Sequence, residues 1–402
     1  MGLLDDLMRS QKRLGGPSRS GASVHVTFVT VKFSKSSAQS YGYDDMDTAP
    51  DTTDDHVSVK QNGTTKVHCT MHGTTPQDSV KFACDDTSIA DVGDLGPSTL
   101  GRDSSGPISD FDITINGKDT PKGATVLRAR VASTNAELAK ININTYKEKP
   151  VAATVMKVFD SKSSGTTLRF PNLDVSAVPP LTNPKYKEAV ALMSLTDQSS
   201  TGAAVDINYD TDNNGKLTWD IATGGGAEWN KITSAFTVAG QKVVIVHAMV
   251  SVYRLSAAAA KDATSLTVTA SGDNNYLTVG QSYPLGTGST RENIQIKTRT
   301  GSTVTLNSGL SNAHAAGETI EFPAAGWGGN PIVIVENDNS LEILQWTFGH
   351  ELGHAVLTLS DVDANDSIMN YAQGPADHRL RYKPLPLKYS SGTENQWEKI
   401  PR

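Results

Sequence analysis

Cysteine is nearly absent: the 402 residues hold two, Cys69 and Cys84. Two cysteines cannot staple a disulfide scaffold, so the fold must rest on buried apolar surface. "KVHCTMH" and "VKFAC" both alternate, which puts Val67, Cys69, Phe82 and Cys84 toward one interior and favours two buried thiols over a bridge. No apolar run approaches the roughly 20 residues that cross a bilayer, which excludes an ordinary helical span. Long basic runs are missing too, and the net charge is −7. Nucleic acid and anionic membrane are therefore not expected partners. The opening "MGLLDDLMRSQKRLGG" has no signal-peptide core, because Asp5 and Asp6 interrupt it at once. The expected course is cytoplasmic synthesis, followed by retention, signal-independent export or packaging into a particle. Residues 1–22 read as a flexible tail. Its Leu3, Leu4, Leu7 and Met8 form either a frayed amphipathic turn or an export signal.

What is present is turn chemistry. Hydrophobic residues make up only 37%, and 34 glycines join many short Ser, Thr, Asp and Asn clusters. That composition, over a length too great for one ordinary domain, predicts several β-rich units. From 23 to 149 the segments "SVHVTFVTVKF", "HVSVKQ", "TKVHCTMH", "SVKFAC", "FDITING", "ATVLRARVAS" and "AKININTYKE" alternate apolar and polar residues. Strands at this spacing predict an antiparallel sandwich. The run "DSVKFACDDTSIADVG" resembles the middle of bacterial immunoglobulin-like domains. The resemblance implies an immunoglobulin-like β-sandwich that acts as a spacer or adhesive module.

A boundary falls near Lys149. Beyond it, "NPKYKEAVALMSL" predicts a helix running into a strand, "GAEWNKITSAF" a second helix, and "QKVVIVHAMVSVYRL" one long central strand. Residues 256–323 then change character, with turn signals about every 8–12 residues between short β segments. This stretch resembles small β modules of phage structural proteins and bacterial surface proteins. It reads as an insertion into a domain made of 150–255 and 324–402. "NPIVIVEND" after it supplies another strand.

Residues 340–357, "SLEILQWTFGHELGHAVL", have helical periodicity through Leu341, Leu344, Phe348, Leu352 and Ala355. Asn339 and Glu342 fit a capping box. On such a helix His350 and His354 lie one turn apart on one face, so their imidazoles can converge on one zinc ion. Glu351 beside them can take a proton from a water held there. Chance alone gives H-E-x-x-H in roughly one chain of this length in a hundred, so the pattern by itself is not decisive. A third ligand is needed, and "LSDVDANDSIMNY" offers Asp361, Asp363 and Asp366.

"HELGH" followed by "SIMNY" resembles the metzincin clan of zinc metallopeptidases. The resemblance implies an α+β catalytic domain with zinc held by His350, His354 and a third ligand. It makes Glu351 the catalytic base, Met369 the methionine-turn floor beneath the ligands, and Tyr371 a donor to the oxyanion. Asp361 lies eight residues before Met369, a spacing common in the clan, and is the first choice; Asp363 is second and Asp366 third. One departure stands out: the clan's glycine falls at Leu357 and its third ligand at Ser360, so this turn carries an extra residue. "GTENQWEKIPR" is similar to the clan's terminal helix, with Thr393 and Gln396 as a capping box.

Weaker signals remain. Asp210, Asp212, Asn214 and Gly215 have the spacing that opens an EF-hand loop, but Ile221 stands where the bidentate glutamate belongs, so a polar hairpin turn is favoured over calcium. His68, His72, His247, His314 and His378 are isolated and read as surface or core residues. "HRLRYKPLPLK" reads as a basic patch on a solvated loop. The favoured reading is a zinc endopeptidase acting on a protein or peptide substrate. Its competitor is a structural component or cargo of a phage-like particle or injection machinery, with an inactive or latent peptidase fold.

Overall fold

The computed structural model describes residues 29–48, 52–73, 79–93, 98–99, 109–161, 171, 173–198, 205–211, 217–218, 226–247, 250–269, 277, 279–286, 288–322, 326–327, 329–336, 341–364, 366–370 and 379–402. Tyr371, His378, the cap pair's Asn339, the tail 1–22 and the loop residues Asp212–Gly215 lie outside them. Among the described residues the chain is mostly β, arranged in several sheets, and no helix is long and apolar enough to cross a membrane.

The N-terminal part packs two sheets face to face. One runs in the order Val29–Lys35, Thr64–Gly73, Ser109–Gly117, Ala90–Asp91; the other Tyr43–Asp44, His56–Lys60, Glu137–Tyr146, Lys122–Val131, Ser79–Cys84, Ser98–Thr99. The alternation in sequence becomes alternation in burial: Val67, Cys69 and Met71 are inside, as are Ile141 and Ile143. Phe82 packs edge-on against Phe33 and Phe111. Cys69 and Cys84 are free, and burial pushes both thiols up to about 12. One pair departs from the expected antiparallel pattern: His56–Lys60 runs parallel to Glu137–Tyr146. Parallel neighbours need a long crossover, and the strands from Thr64–Gly73 to Lys122–Val131 lie between them in sequence.

A mixed sheet follows, in the order Ala191–Asp197, Lys149–Phe159, Lys242–Val246, Ile332–Val335, Gly326–Trp327. The first four run parallel and the last is antiparallel. Both faces are covered, which explains unbroken apolar runs such as "VVIV" and "IVIV". Val243, Ile245, Ile332 and Ile334 face helices α1 (Val178–Lys187) and α3 (Leu341–Leu357). Val244, Val246, Val333 and Val335 face the opposite side, where Ile232 of α2 (Ala227–Ser234) packs. Helix α1 starts earlier than expected, with proline in its first turn, where the missing N–H costs nothing.

The expected single strand over 241–255 is two strands in two sheets. Lys242–Val246 belongs to the mixed sheet; Val250–Arg254 leaves it and pairs with Thr319–Phe322. An apolar run signals burial but not which ladder receives it. The sheet of the 256–323 segment thus also takes in Leu217–Thr218 and Val250–Arg254. Its Leu266, Ile294, Ile296 and Ile320 share one continuous core with Val244 and Val333.

That sheet holds a feature no spacing revealed. The His314 side chain is wholly buried between Glu318, 2.6 Å from Nδ1, and Glu292, 2.9 Å from Nε2. Burial lowers the imidazole's pKa, but the two carboxylates win and the net shift is upward. A raised native pKa stabilises fully below the ordinary value of 6.5, and the stabilisation is lost as pH rises through the native value. The wild-type melting temperature is expected to fall across that window. His314→Leu should cost about 3 kcal/mol at the acid end and flatten the slope; a slope that persists in the variant would assign it to another group.

Candidate metal centre

Helix α3 supplies His350, Glu351 and His354 from successive turns. Leu344, Phe348 and Leu352 anchor its other face in the core. The helix carries two glycines, Gly349 and Gly353, which its propensity disfavours. Packing explains them. A Cβ at Gly353 would lie 2.4 Å from Met369 Sδ, and one at Gly349 would lie 2.5 Å from Ile368 Cδ1. The two glycines form a groove that lets the 366–370 turn press against the helix, with Met369 fully buried.

The helix ends without the clan's glycine. Thr358 takes the left-handed conformation at φ 58°, and the Leu359 N–H reaches back to the Gly353 carbonyl at 3.1 Å. The chain then folds under the site. The Leu359 carbonyl lies 2.7 Å from His354 Nδ1, and the Ile368 carbonyl lies 3.0 Å from His350 Nδ1. A carbonyl only accepts, so each Nδ1 carries a proton, and a ring with no second proton turns its Nε2 lone pair inward.

The structure brings His350, His354 and Asp361 together. Nε2 of His350 and Nε2 of His354 are 3.1 Å apart, and Asp361 Oδ1 stands 3.2 and 3.3 Å from them. Asp361 Oδ1 is buried and receives no proton donor, which follows from the ring tautomers. With both rings neutral, three acceptors face one another, an arrangement that repels itself until a proton or a metal cation lies between them. Donors about 2.0–2.1 Å from a tetrahedral zinc stand about 3.3 Å apart, so the residues fit that ion. Burial alone would raise the Asp361 carboxyl, but the two imidazoles hold it well below the usual carboxylate range. Burial pushes His354 down, and Asp361 reverses that to a net rise.

The other two aspartates point elsewhere. Asp363 is exposed and lies 3.6 Å from Lys388; Asp366 pairs with Arg381. Glu351 is buried, and burial raises its carboxyl despite the two imidazoles, which pull the other way. Trp346, one turn before His350, tilts its ring against that imidazole at 4.9 Å. Edge strand Gly326–Trp327 lies along the helix: a Cβ at Gly326 would sit 3.1 Å from Glu351 Cγ.

No protein-family model matches the chain, and no curated protein does either. Among solved structures, the tailspike gp61 of Pseudomonas phage phi297 is similar at 18% identity and TM-score 0.15, over 27% of this chain and 18% of that one. Domains 5–6 of the S-layer protein SbsC are similar at 16% identity and TM-score 0.19, over 36% and 63%. A family 123 glycoside hydrolase from Clostridium perfringens is similar at 9% and TM-score 0.17, over 40% and 32%. This chain spans less than two thirds of each. At such scores these likenesses decide nothing about the site.

Sequence reasoning missed several supports. Arg381, expected on a solvated basic loop, is 1% exposed and fully engaged by carboxylates. Glu394 precedes the terminal helix α4 (Gln396–Lys399) and accepts the Ser360 N–H at 3.1 Å, bracing the turn before Asp361. The cap of α4 is Asn395, which accepts from Glu398 N–H, and not Thr393. Asp210 N–H donates to Asp160; the rest of its calcium-like loop lies outside the described residues. Nothing local in "HRLRYKPLPLK" sets Arg381 apart from Arg379 and Lys383.

Proposed function

We propose that the protein is a zinc-dependent endopeptidase. One observation carries the reading: two imidazoles with tautomers set by carbonyls aim their lone pairs, with a buried carboxylate oxygen, at a common point. His350, His354 and Asp361 hold the ion. Zinc, when bound, supplies a Lewis acid that polarises a carbonyl and lowers the pKa of water toward neutrality. Glu351 takes the proton of the attacking water and returns it to the departing amine. Its burial favours the protonated form more than in water, which suits a group that both accepts and gives back a proton. Met369, packed on Gly353, keeps the floor of the cluster apolar. Tyr371 keeps the role the metzincin resemblance implies, a hydroxyl donating to the oxyanion.

Substrate would enter along the antiparallel edge. Lys242–Val246 and Ile332–Val335 are interior neighbours in the mixed sheet, and among the described residues Gly326–Trp327 is the strand at one end of it. An extended peptide adding there as a further strand would pass beside Glu351. The N-terminal sheets would form the immunoglobulin-like part of this reading. Purified protein is expected to contain about one zinc per chain and to cleave a denatured protein substrate in a chelator-sensitive way. Cleavage that survives chelation would overturn the reading. Zinc-loaded protein that cleaves nothing would favour the structural alternative in a phage-like particle.

A further inference from the structure

The N-terminal sheets do not merely precede the metal cluster; they grip the segment beneath it. Arg381 donates from Nε and Nη2 to the two oxygens of Asp44 at 3.0 and 2.9 Å, and from Nη2 to Asp47 at 3.0 Å. Its Nη1 bonds Asp366, the residue that opens the methionine turn. Asp44 is 1% exposed and also accepts the N–H groups of Tyr382 at 2.7 Å and Lys383 at 3.0 Å. One buried carboxylate of the N-terminal half thus organises residues 381–383 as a unit.

From there a second route leads to the cluster. The Arg381 N–H donates to Gln396 Oε1 at 2.9 Å, and Gln396 Nε2 donates to Ser367 Oγ at 2.9 Å. Ser367 Oγ accepts the Met369 N–H at 3.1 Å. Between Ser367 and Met369 lies Ile368, whose carbonyl receives His350 Nδ1. Gln396 and Ser367 are 0% exposed, so water does not compete for these bonds. The Met369 carbonyl in turn accepts the Val362 N–H at 3.0 Å, beside Asp361.

We propose that Asp44 and Arg381 are positioning residues for the metal cluster, so that the N-terminal half is a built-in part of the site and not a detachable spacer. The inference rests on the metal reading. Partners that orient a ligating histidine through its second nitrogen are worth about 10–100-fold in metal affinity, and here that orientation depends on a turn tied to another part of the chain.

The test uses the full chain and two readouts. Zinc affinity is measured by competition with a chromophoric chelator, and hydrogen exchange of the metal-free protein reports on residues 361–370. Asp44→Asn is expected to weaken zinc binding about 10–100-fold and to speed exchange in that segment. Arg381→Lys, which keeps charge but loses the fork, should fall between it and wild type. Glu188→Gln is the control. Glu188 accepts the Tyr43 N–H at 3.0 Å at the same junction but bonds neither Arg381 nor Gln396, so it should lower the melting temperature and weaken zinc binding far less than Asp44→Asn. If Asp44→Asn does not fold, Gln396→Leu tests the same route from within the C-terminal part. Unchanged zinc affinity in folded Asp44→Asn and Gln396→Leu overturns the proposal, and so does an equal loss in Glu188→Gln. Absence of zinc binding in wild type would instead sink the metal reading; unchanged exchange in Asp44→Asn would then remove the positioning role as well.

Discussion

Glu351→Gln is expected to lower kcat on a denatured protein substrate by about 10²–10⁴-fold, toward the upper end. Glutamine keeps the size and reach of the side chain but takes no proton at neutral pH. The position is buried against the edge strand at Gly326 and contributes no ligand atom to the cluster. Zinc content and melting temperature should therefore stay at wild-type values, which separates chemistry from binding. The measurement is a progress curve with and without chelator, alongside elemental analysis of the same preparation. Turnover untouched by the substitution would remove the base from the proposed mechanism, and with it the peptidase reading built on this helix.

The second large effect is on the metal itself. Asp361→Ala removes the one carboxylate that stands 3.2 and 3.3 Å from the two Nε2 atoms. Loss of a ligand should weaken zinc binding by more than about 100-fold, beyond what outer partners contribute. Asp363→Ala should leave affinity unchanged, because that side chain is exposed and faces Lys388. Asp366→Ala should act indirectly, through the turn that Arg381 holds. Titration of metal-free protein against a chelator of known affinity ranks the three. A loss in Asp363→Ala with none in Asp361→Ala would assign the third position to the wrong aspartate.

Local periodicity accounts for what could be read from residues alone. The strands of the N-terminal half show their two-residue repeat, and helix α3 shows its three- and four-residue steps. The spacing of His350 and His354 places both on one face of any helix through them, whatever surrounds it. Two cysteines in alternating segments were enough to expect buried thiols. These features depend on neighbours within a few residues, where chain geometry is nearly invariant.

Other features depend on partners far away in sequence, and only tertiary structure decided them. The run 241–255 satisfies a strand pattern throughout, yet it divides between two sheets because each half finds a different ladder. Arg381 looks like one charge in a basic loop; Asp44, more than three hundred residues earlier, turns it into a buried clamp. Gly349 and Gly353 weaken a helix when read locally and are needed because Ile368 and Met369 press into it. Three aspartates follow the helix within reach of it, and the eight-residue step to Met369 ranks Asp361 first only through the metzincin resemblance. That choice falls to Asp361 because Thr358 adopts a left-handed backbone and the Leu359 N–H closes back on Gly353. A single residue's conformation at the helix end decides which side chain meets the two imidazoles, and no periodicity encodes it.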